Sequence, residues 1–439
     1  MSHYVSETRP VYAWYVVTVL MLANTVSFVD RQILNLLVEP IKADLGFTDV
    51  QISALQGIAF ALFYATMGIP IARLADLSSR KLIISLGVAC WSIATAACGL
   101  AKTFTGLFTA RMLVGVGESS LSPAAYSMVA DLFPKNRMAK PMGVFGAGIF
   151  VGGGLAYMVG GKVVEWAYSI DNISLPVFGQ VAPWAFCFLL VGGPLGLMML
   201  VLLATIKEPE RHLGHDARQD DLSIKAVLTF IRSRLLMFVL LFSGLALIAM
   251  MVYGIHAWTP AFFMREFDTG IGALGVKLGG ILLVCGGAGV YCGGWFADRL
   301  YSRGRNDAHI LTMMAVAAGL CVSIPLYPLM PSEALVYVAF GVVQFIAGAP
   351  VGVAAASIQL ITPNRMRGQV TAFYLLIVNL VGAGLGPMII AFFTDYVFMS
   401  EQKLGLSLAL FGAVFGPLAL LLLWSCRKMY AAEVAQASA

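Results

Sequence analysis

The chain has 439 residues, of which 59% are hydrophobic and 12% are charged, and its formal net charge is +5. A soluble domain carries roughly 25% charged residues, so this composition excludes an ordinary water-soluble protein. The distribution of the basic residues is more informative than their number, and we expect no nucleic-acid partner.

Apolar runs of about 20 residues recur along nearly the whole chain, and a helix of that length crosses a hydrocarbon core of about 30 Å. They predict an all-α polytopic membrane protein. The first run is too long for the apolar core of a signal peptide, so we expect it in the mature protein. The twelve predicted spans are 12–37, 52–73, 81–101, 105–131, 138–165, 182–206, 235–263, 272–297, 308–329, 333–360, 367–395 and 404–426.

The basic residues between the spans predict the orientation of the chain. If the N-terminus lies inside, the inner segments hold 20 Lys and Arg and the outer segments hold six. The positive-inside rule then places both termini in the cytoplasm. Because the loops and tails are short, we expect a multi-pass protein of a plasma membrane, specifically a bacterial inner membrane.

The longest inner segment, residues 207–234, divides the spans six and six. This division predicts an N-terminal six-helix bundle over residues 1–206 and a C-terminal bundle over residues 235–439. Apolar side chains recur at helical spacing from Leu222 to Ile231. The linker therefore contains either a short amphipathic helix or an ordinary solvated segment.

A short pattern recurs at two inner helix ends. The second span is followed by ARLADLSSRK and the eighth by GWFADRLYSR, so that Asp76 and Asp298 occupy the same place 222 residues apart. Repetition of this kind predicts two parallel, pseudo-symmetric halves related by an axis along the membrane normal.

The loop after the second span resembles the signature loop of the major facilitator superfamily of secondary transporters. The family pattern GxLADRxGRK is matched by Ala72, Asp76, Arg80 and Lys81, although Ala72 replaces Gly and Leu77 replaces Arg. The resemblance implies the major facilitator fold and alternating access. The second copy of the loop consists of Gly294, Asp298, Arg299 and Arg303.

Two longer stretches are similar to the Spinster branch of that superfamily. They read DRQILNLLVEPIKADLGFTDVQISALQGIAFALFYA, from Asp30, and RMLVGVGESSLSPAAYSMVADLFPKNRMA, from Arg111. In animals this branch is associated with the export of sphingosine phosphate and lysophospholipids. The resemblance therefore implies an amphipathic anionic lipid as substrate.

Four charged residues stand well inside predicted spans. Each costs about 2.5 to 3.5 kcal/mol at mid-membrane on insertion scales, so such residues usually pair, line a cavity or take part in function. By helical rise, Asp30 and Arg111 lie at one depth. Glu118 follows Arg111 by two turns on the same face, where Arg31 can reach it. The four residues are Asp30 and Arg31 in the first span and Arg111 and Glu118 in the fourth.

We predict that Asp30 and Glu118 accept the coupling proton, and that Arg31 and Arg111 bind these carboxylates or an anionic head group. Burial raises the pKa of a carboxylate and a neighbouring arginine lowers it, so protonation can release an arginine to the substrate. The resemblance places the first and fourth helices beside a central cavity. The alternative is a fixed set of ion pairs that joins the two helices.

The second half carries no carboxylate or arginine at middle depth. A cavity with charge on one wall and apolar surface on the other suits an amphipathic anion. His256 titrates near neutrality, but a single histidine beside Trp258 is more often a hydrogen-bonded structural residue. The cavity candidates are Asn24, Ser119, Tyr253, His256, Tyr374 and Asn379.

The resemblance assigns a gating role to the two inner loops. We expect Asp76 and Asp298 to accept hydrogen bonds at helix ends, and the basic residues to face the cytoplasm. Topology anchoring alone explains the basic residues but not the repeated aspartate. The predicted gating residues are Asp76, Arg80, Lys81, Asp298, Arg299 and Arg303.

We therefore expect a monomeric, proton-coupled carrier in the lipid bilayer, without catalytic residues, metal or cofactor. The seven cysteines show no CxxC or Cys/His cluster, so neither disulfides nor a zinc site is predicted. An organic-anion or drug carrier of the same fold is the alternative. A membrane-embedded lipid enzyme is more remote, since no GxSxG motif or metal-ligand spacing is present.

Overall fold

The structure, a computed structural model, describes residues 10–134, 137–170, 173–175, 179–209, 224–363 and 366–438. These parts of the chain are largely helical. A short antiparallel hairpin pairs Ser174–Leu175 with Gly179–Gln180. The predicted all-α class is confirmed.

The helices of the first half follow the predicted spans closely. They are α1 Pro10–Leu36, α2 Val38–Leu45, α3 Asp49–Gln56, α4 Ile58–Leu77, α5 Arg80–Leu100, α6 Phe104–Glu118, α7 Leu121–Leu132, α8 Ala139–Tyr168, α9 Pro183–Leu190 and α10 Gly196–Thr205. A π-helical turn, Val191–Leu195, joins α9 to α10.

A short helix, α11, begins the second half within the predicted linker. The helices are α11 Ile224–Ser233, α12 Leu235–Phe267, α13 Ile271–Ile281, α14 Gly287–Ser302, α15 Ala308–Leu326, α16 Glu333–Gly348, α17 Pro350–Ile361, α18 Arg367–Ile377, α19 Gly386–Phe392 and α20 Leu404–Ser438. Single π-helical or 3₁₀ segments connect several of them: Leu282–Gly286, Tyr327–Leu329, Val378–Leu385, Phe393–Val397 and Glu401–Lys403.

Eleven helices within the described residues are long and apolar enough to cross a membrane. They correspond to eleven predicted spans, and the remaining span, 105–131, is interrupted between α6 and α7. The hydroxyl groups of Ser119 and Ser120 donate to backbone carbonyls three residues earlier, at 2.7 and 2.8 Å. Such side-chain bonds compete with the helical ladder, and they end α6 at Glu118.

Hydroxyl side chains set the start of several helices. Thr48, Ser79, Thr103 and Ser332 each accept a hydrogen bond from the backbone N–H three residues later, at 3.2 to 3.5 Å. N-cap bonds of this kind satisfy backbone donors that the helix leaves unpaired.

The chain folds as two compact units. One holds the chain up to His215 together with Thr269–Gly279, and the other holds Asp216–Asp268 and Gly280–Ala439. Residues 210–223 of the predicted linker lie outside the described residues, and the predicted domain boundaries stay a prediction. In the first unit α1 packs along α8, and in the second α20 packs against α12 and α15.

Each unit carries large apolar side chains on its surface. Ile93, Val284 and Val338 are 71%, 71% and 66% exposed. Exposure of so many apolar side chains to water would be unfavourable, whereas lipid tails are as apolar as these side chains. In the first unit an apolar core that includes Leu20 and Trp91 lies inside this surface and surrounds a small set of charged groups.

Candidate functional site

The first pair of buried charges joins α1 to α6. Nη1 of Arg111 donates to Oδ1 of Asp30 at 3.4 Å, and both side chains are 1% exposed. On α5, the hydroxyl of Thr95 donates to Oδ2 of Asp30 at 2.5 Å. A charge that is removed from water needs a partner and hydrogen bonds, and here each carboxylate oxygen has one.

The second pair lies one residue further along α1. Nε of Arg31 donates to Oε2 of Glu118 at 2.5 Å, and the hydroxyl of Ser27 donates to the same oxygen at 2.6 Å. Glu118 is the last residue of α6, where the helix dipole disfavours a negative charge. Arg31 and Ser27 offset that cost. The Glu118 side chain is fully buried, whereas that of Arg31 is 18% exposed.

The structure thus brings together the four charged residues in the predicted combinations. Arg111 and Glu118 are seven residues apart and share a face of α6, while Asp30 and Arg31 are neighbours on α1. Adjacent helical residues point in different directions, so each reaches a different turn of α6. The proton-accepting and substrate-binding roles stay predictions.

An aromatic group around Arg31 was missed by the sequence reasoning. The guanidinium carbon lies 4.4 Å from the ring centre of Phe60, 4.6 Å from that of Tyr64 and 4.8 Å from that of Phe28. Rings at these distances attract a cation and partly replace its water. The available signal was the spacing of four residues between Phe60 and Tyr64, which is also typical of any apolar helix face.

Two polar atoms of the network have no hydrogen-bond partner among the described residues. They are Nε of Arg111 and Oε1 of Glu118, and both are buried. Buried polar atoms are nearly always paired, so these two atoms retain the capacity to bind a further group or, for the carboxylate, a proton.

A cluster of uncharged polar side chains lies one turn further along α1 and was also missed. The amide nitrogen of Asn35 donates to Oε1 of Gln32 at 2.6 Å and lies 3.4 Å from the hydroxyl of Tyr157. The amide nitrogen of Gln56 donates to Oδ1 of Asn35 at 3.1 Å. No sequence pattern singled out this group, since Gln56 lies 21 residues from Asn35 along the chain.

The cavity candidates of the first unit make contacts with the backbone. The amide of Asn24 donates to the carbonyl of Phe145 at 3.1 Å and so joins α1 to α8. Ser119 donates to the carbonyl of Val116. Both candidates are at most 4% exposed. Their visible role is to hold the helices that carry the charges.

The cavity candidates of the second unit lie on α12, α18 and the π-helical segment after α18. Nε2 of His256 lies 2.9 Å from Oε1 of Gln344, a part-buried hydrogen bond to α16. Tyr374 is 8% exposed, Tyr253 is half-buried, and Asn379 donates to a backbone carbonyl one turn earlier at 2.8 Å. These contacts agree with the structural interpretation of His256.

The expectation that Arg80 faces the cytoplasm is wrong. Its side chain is 2% exposed because acidic groups from two other helix ends surround it. Nε of Arg80 donates to Glu208 at 3.1 Å, and Nη2 donates to the carbonyl of Pro209 at 2.8 Å. Nη1 pairs with Asp131 and also donates to the hydroxyl of Ser127 at 3.0 Å. Arg80 therefore joins α5 to α7 and to the segment after α10.

Glu208 binds the first turn of α5. Its carboxylate accepts the backbone N–H of Arg80 at 2.8 Å and of Lys81 at 3.0 Å, and it pairs with the hydroxyl of Ser79. Partial burial opposes ionisation of Glu208, but hydrogen bonds from Ser79, Lys81 and Arg80 outweigh it and lower its pKa. The Lys81 ammonium donates to the carbonyls of Ala204 and Ile206, at the end of α10.

The second copy of the loop is built differently. Asp298, Arg299 and Arg303 are exposed at the end of α14, which agrees with the expectation for these basic residues. Asp307 instead accepts Nε of Arg305 at 3.1 Å and Nε of Arg427 at 2.7 Å. Partial burial opposes ionisation of Asp307, but the two arginines outweigh it and lower its pKa.

The sequence predicts hydrogen bonds for the two aspartates in the repeated loop. The side chain of Asp76 lies outside the described residues. For Asp298, the described part of the chain offers no hydrogen bond or ion pair. The gating role of both aspartates stays a prediction.

The sequence pattern of the Major Facilitator Superfamily matches residues 20–387. The chain belongs to the major facilitator superfamily. It is also similar over almost its whole length to an MFS-type efflux pump of Mycolicibacterium smegmatis, with 24% identity over 425 residues that cover 96% of this chain and 94% of that protein. The chain is thus a multi-pass membrane transporter rather than an enzyme.

The resemblance to the Spinster branch is confirmed by a solved structure and by sequence. A bacterial homologue of the human lysosomal transporter Spinster, inward-facing and unoccupied, superposes with a TM-score of 0.79 and 25% identity and covers 98% of both chains. The protein spinster of Drosophila melanogaster is 26% identical over 328 residues, 71% of this chain and 50% of that protein. The chain therefore spans about half the length of the Drosophila protein.

Proposed function

We propose that the chain is a proton-coupled carrier of an amphipathic anion, and that the pairs Asp30–Arg111 and Arg31–Glu118 bind the proton and the anionic group. The observation that carries the proposal is the pair of contacts itself. Two carboxylates and two guanidinium groups lie in one buried network at 3.4 and 2.5 Å. Groups this costly to bury in a membrane usually take part in function.

The two pairs suit different tasks because they differ in exposure. Arg31 is 18% exposed, whereas Arg111 is 1% exposed. When Glu118 gains a proton, its charge disappears and its attraction for Arg31 weakens, so that Arg31 can bind an anionic head group. When Glu118 loses that proton, it competes for Arg31 and favours release of the anion. Asp30 and Arg111 form the less exposed pair, which a second protonation can open.

The substrate class follows from what surrounds Arg31. The rings of Phe28, Phe60 and Tyr64 lie within 4.8 Å of its guanidinium carbon, so a bound anion would meet both a cation and apolar surface. Similarity to Spinster proteins supports a lysolipid or sphingoid phosphate. Similarity to the probable L-galactonate transporter of Escherichia coli, 24% identical over 315 residues, supports a small organic anion as the second candidate.

We place this carrier in the inner membrane of a bacterium, where the proton gradient across that membrane would drive it. It would work as a monomer and without a bound cofactor. Alternating access between the two membrane faces is what the superfamily membership supports as its mode of transport.

Uptake into proteoliposomes tests the proposal. An imposed pH gradient should accelerate the uptake of labelled oleoyl lysophosphatidate by the wild type and by Glu165→Gln, an exposed carboxylate on α8. Glu118→Gln and Asp30→Asn should abolish that acceleration. Normal gradient-driven uptake by both variants would overturn the proposal. Competition by L-galactonate, rather than by oleoyl lysophosphatidate, would favour the second candidate.

A further inference from the structure

One aromatic ring contacts both arginines of the network. The ring centre of Phe60, on α4, lies 4.4 Å from the guanidinium carbon of Arg31 and 5.8 Å from that of Arg111. Phe60 is 5% exposed. The negative face of an aromatic ring attracts cations, and this attraction is stronger where water is excluded. The ring therefore offers both cations a contact that water would otherwise provide.

The backbone fixes the position of this ring. Gly115 lies on α6 between Arg111 and Glu118, and a Cβ atom at Gly115 would lie 2.6 Å from the carbonyl oxygen of Phe60. Because Gly115 has no side chain, α4 and α6 touch at this level. Phe60 thus lies beside the turn of α6 that separates the two ion pairs.

A second aromatic ring on the same helix, α4, packs against Phe60 and restrains it. Tyr64, one turn later, stacks on Phe60 with the ring centres 5.3 Å apart and the planes 24° apart. Tyr64 also lies over Arg31. Among the described residues, the ring of Phe60 is the aromatic contact that Arg31 and Arg111 share.

We infer that Phe60 is a positioning residue that holds both arginines against their carboxylates. A change at one arginine alters the ring contact of the other, so Phe60 links the pair Asp30–Arg111 to the pair Arg31–Glu118. The inference concerns contacts within the network, and only its consequence for transport rests on the proposed function.

Infrared titration of the two buried carboxyl groups tests the inference without transport. Their bands are assigned with Asp30→Asn and Glu118→Gln. Phe60→Leu should shift both titration midpoints by about 0.5 to 1.5 pH units, the range expected for loss of a cation–π contact. Phe60→Tyr, which keeps the ring, should shift neither. Tyr64→Leu should shift the Glu118 midpoint more than the Asp30 midpoint, because Tyr64 contacts Arg31 directly and Arg111 only through Phe60.

The control is Phe188→Leu on α9. Phe188 is fully buried and packs edge-on against Trp184, so its loss removes similar packing and should leave both midpoints unchanged. Phe60→Met supplies a second non-aromatic side chain in case Phe60→Leu is unstable.

The inference is overturned if the non-aromatic variants at Phe60 shift only one midpoint or neither, or if Phe188→Leu shifts both equally. If they shift both, while Asp30→Asn and Glu118→Gln retain gradient-driven uptake, the proposed function fails and the positioning role of Phe60 stands.

Discussion

Breaking the Asp30–Arg111 pair should be costly for the folded protein. With 3.4 Å between the charged atoms and an effective dielectric constant of about 20, Coulomb attraction amounts to about 5 kcal/mol. Removal of one member of a buried pair typically costs about 3 to 5 kcal/mol, since the other charge is left unpaired. Asp30→Asn and Arg111→Gln should each lower the free energy of unfolding by about 3 to 5 kcal/mol.

The double variant separates pairing from packing. Asp30→Asn with Arg111→Gln leaves two neutral side chains, so its cost should fall well below the sum of the single costs. The free energy of unfolding is measured by denaturant titration in mixed micelles, and the coupling energy follows from the four proteins. We expect a coupling of about 3 kcal/mol. A coupling below about 1 kcal/mol would refute the reasoning.

Three further predictions concern the frame around the site. Gly115→Ala places a Cβ 2.6 Å from the carbonyl oxygen of Phe60 and should destabilise the protein by about 1 to 3 kcal/mol, whereas Gly143→Ala meets nothing within 4 Å; equal unfolding energies would contradict this. The pKa of Glu208 is lowered from 4.5, so its stabilising effect is complete above that pH and is lost as pH falls through the lower folded-state pKa. The difference in Tm between wild type and Glu208→Gln should therefore stay constant from about pH 7 to about pH 5 and shrink below pH 4.5, and a difference that stays constant below pH 4.5 would disprove it. Arg427→Ala removes a 2.7 Å bond to Asp307 at the start of α15, so amide exchange in the first turn of α15 should accelerate while that of α5 stays unchanged; unaltered exchange in α15 would count against the contact.

The spans could be predicted because hydropathy and length are local properties of the sequence. The interruption of the fourth span was not predicted, because hydropathy averaged over the whole span hides the short polar stretch from Glu118 to Pro123. The break depends on two serine hydroxyls that donate hydrogen bonds to backbone carbonyls. The available signal was the pair Ser119 and Ser120 followed by Pro123, because a proline within a helical pattern often marks a break.

The ion pairs could be predicted because depth along a helix follows from residue spacing, and buried charges require partners. The partners of Arg80 were missed because Asp131 and Glu208 lie 51 and 128 residues away along the chain, at the end of a predicted span and in the predicted linker. The role of Phe60 was missed for another reason. An aromatic residue in an apolar helix can contact lipid, the protein core or a cation, and the sequence looks the same in all three cases.

Proton movement during transport tests the central claim most directly. A pH-sensitive dye trapped in proteoliposomes should report a change of internal pH when oleoyl lysophosphatidate is added outside, with no imposed gradient. Wild type and Glu165→Gln should show this change, and Glu118→Gln should transport the lipid without it or not at all. Lipid uptake by the wild type with no movement of protons would contradict the account.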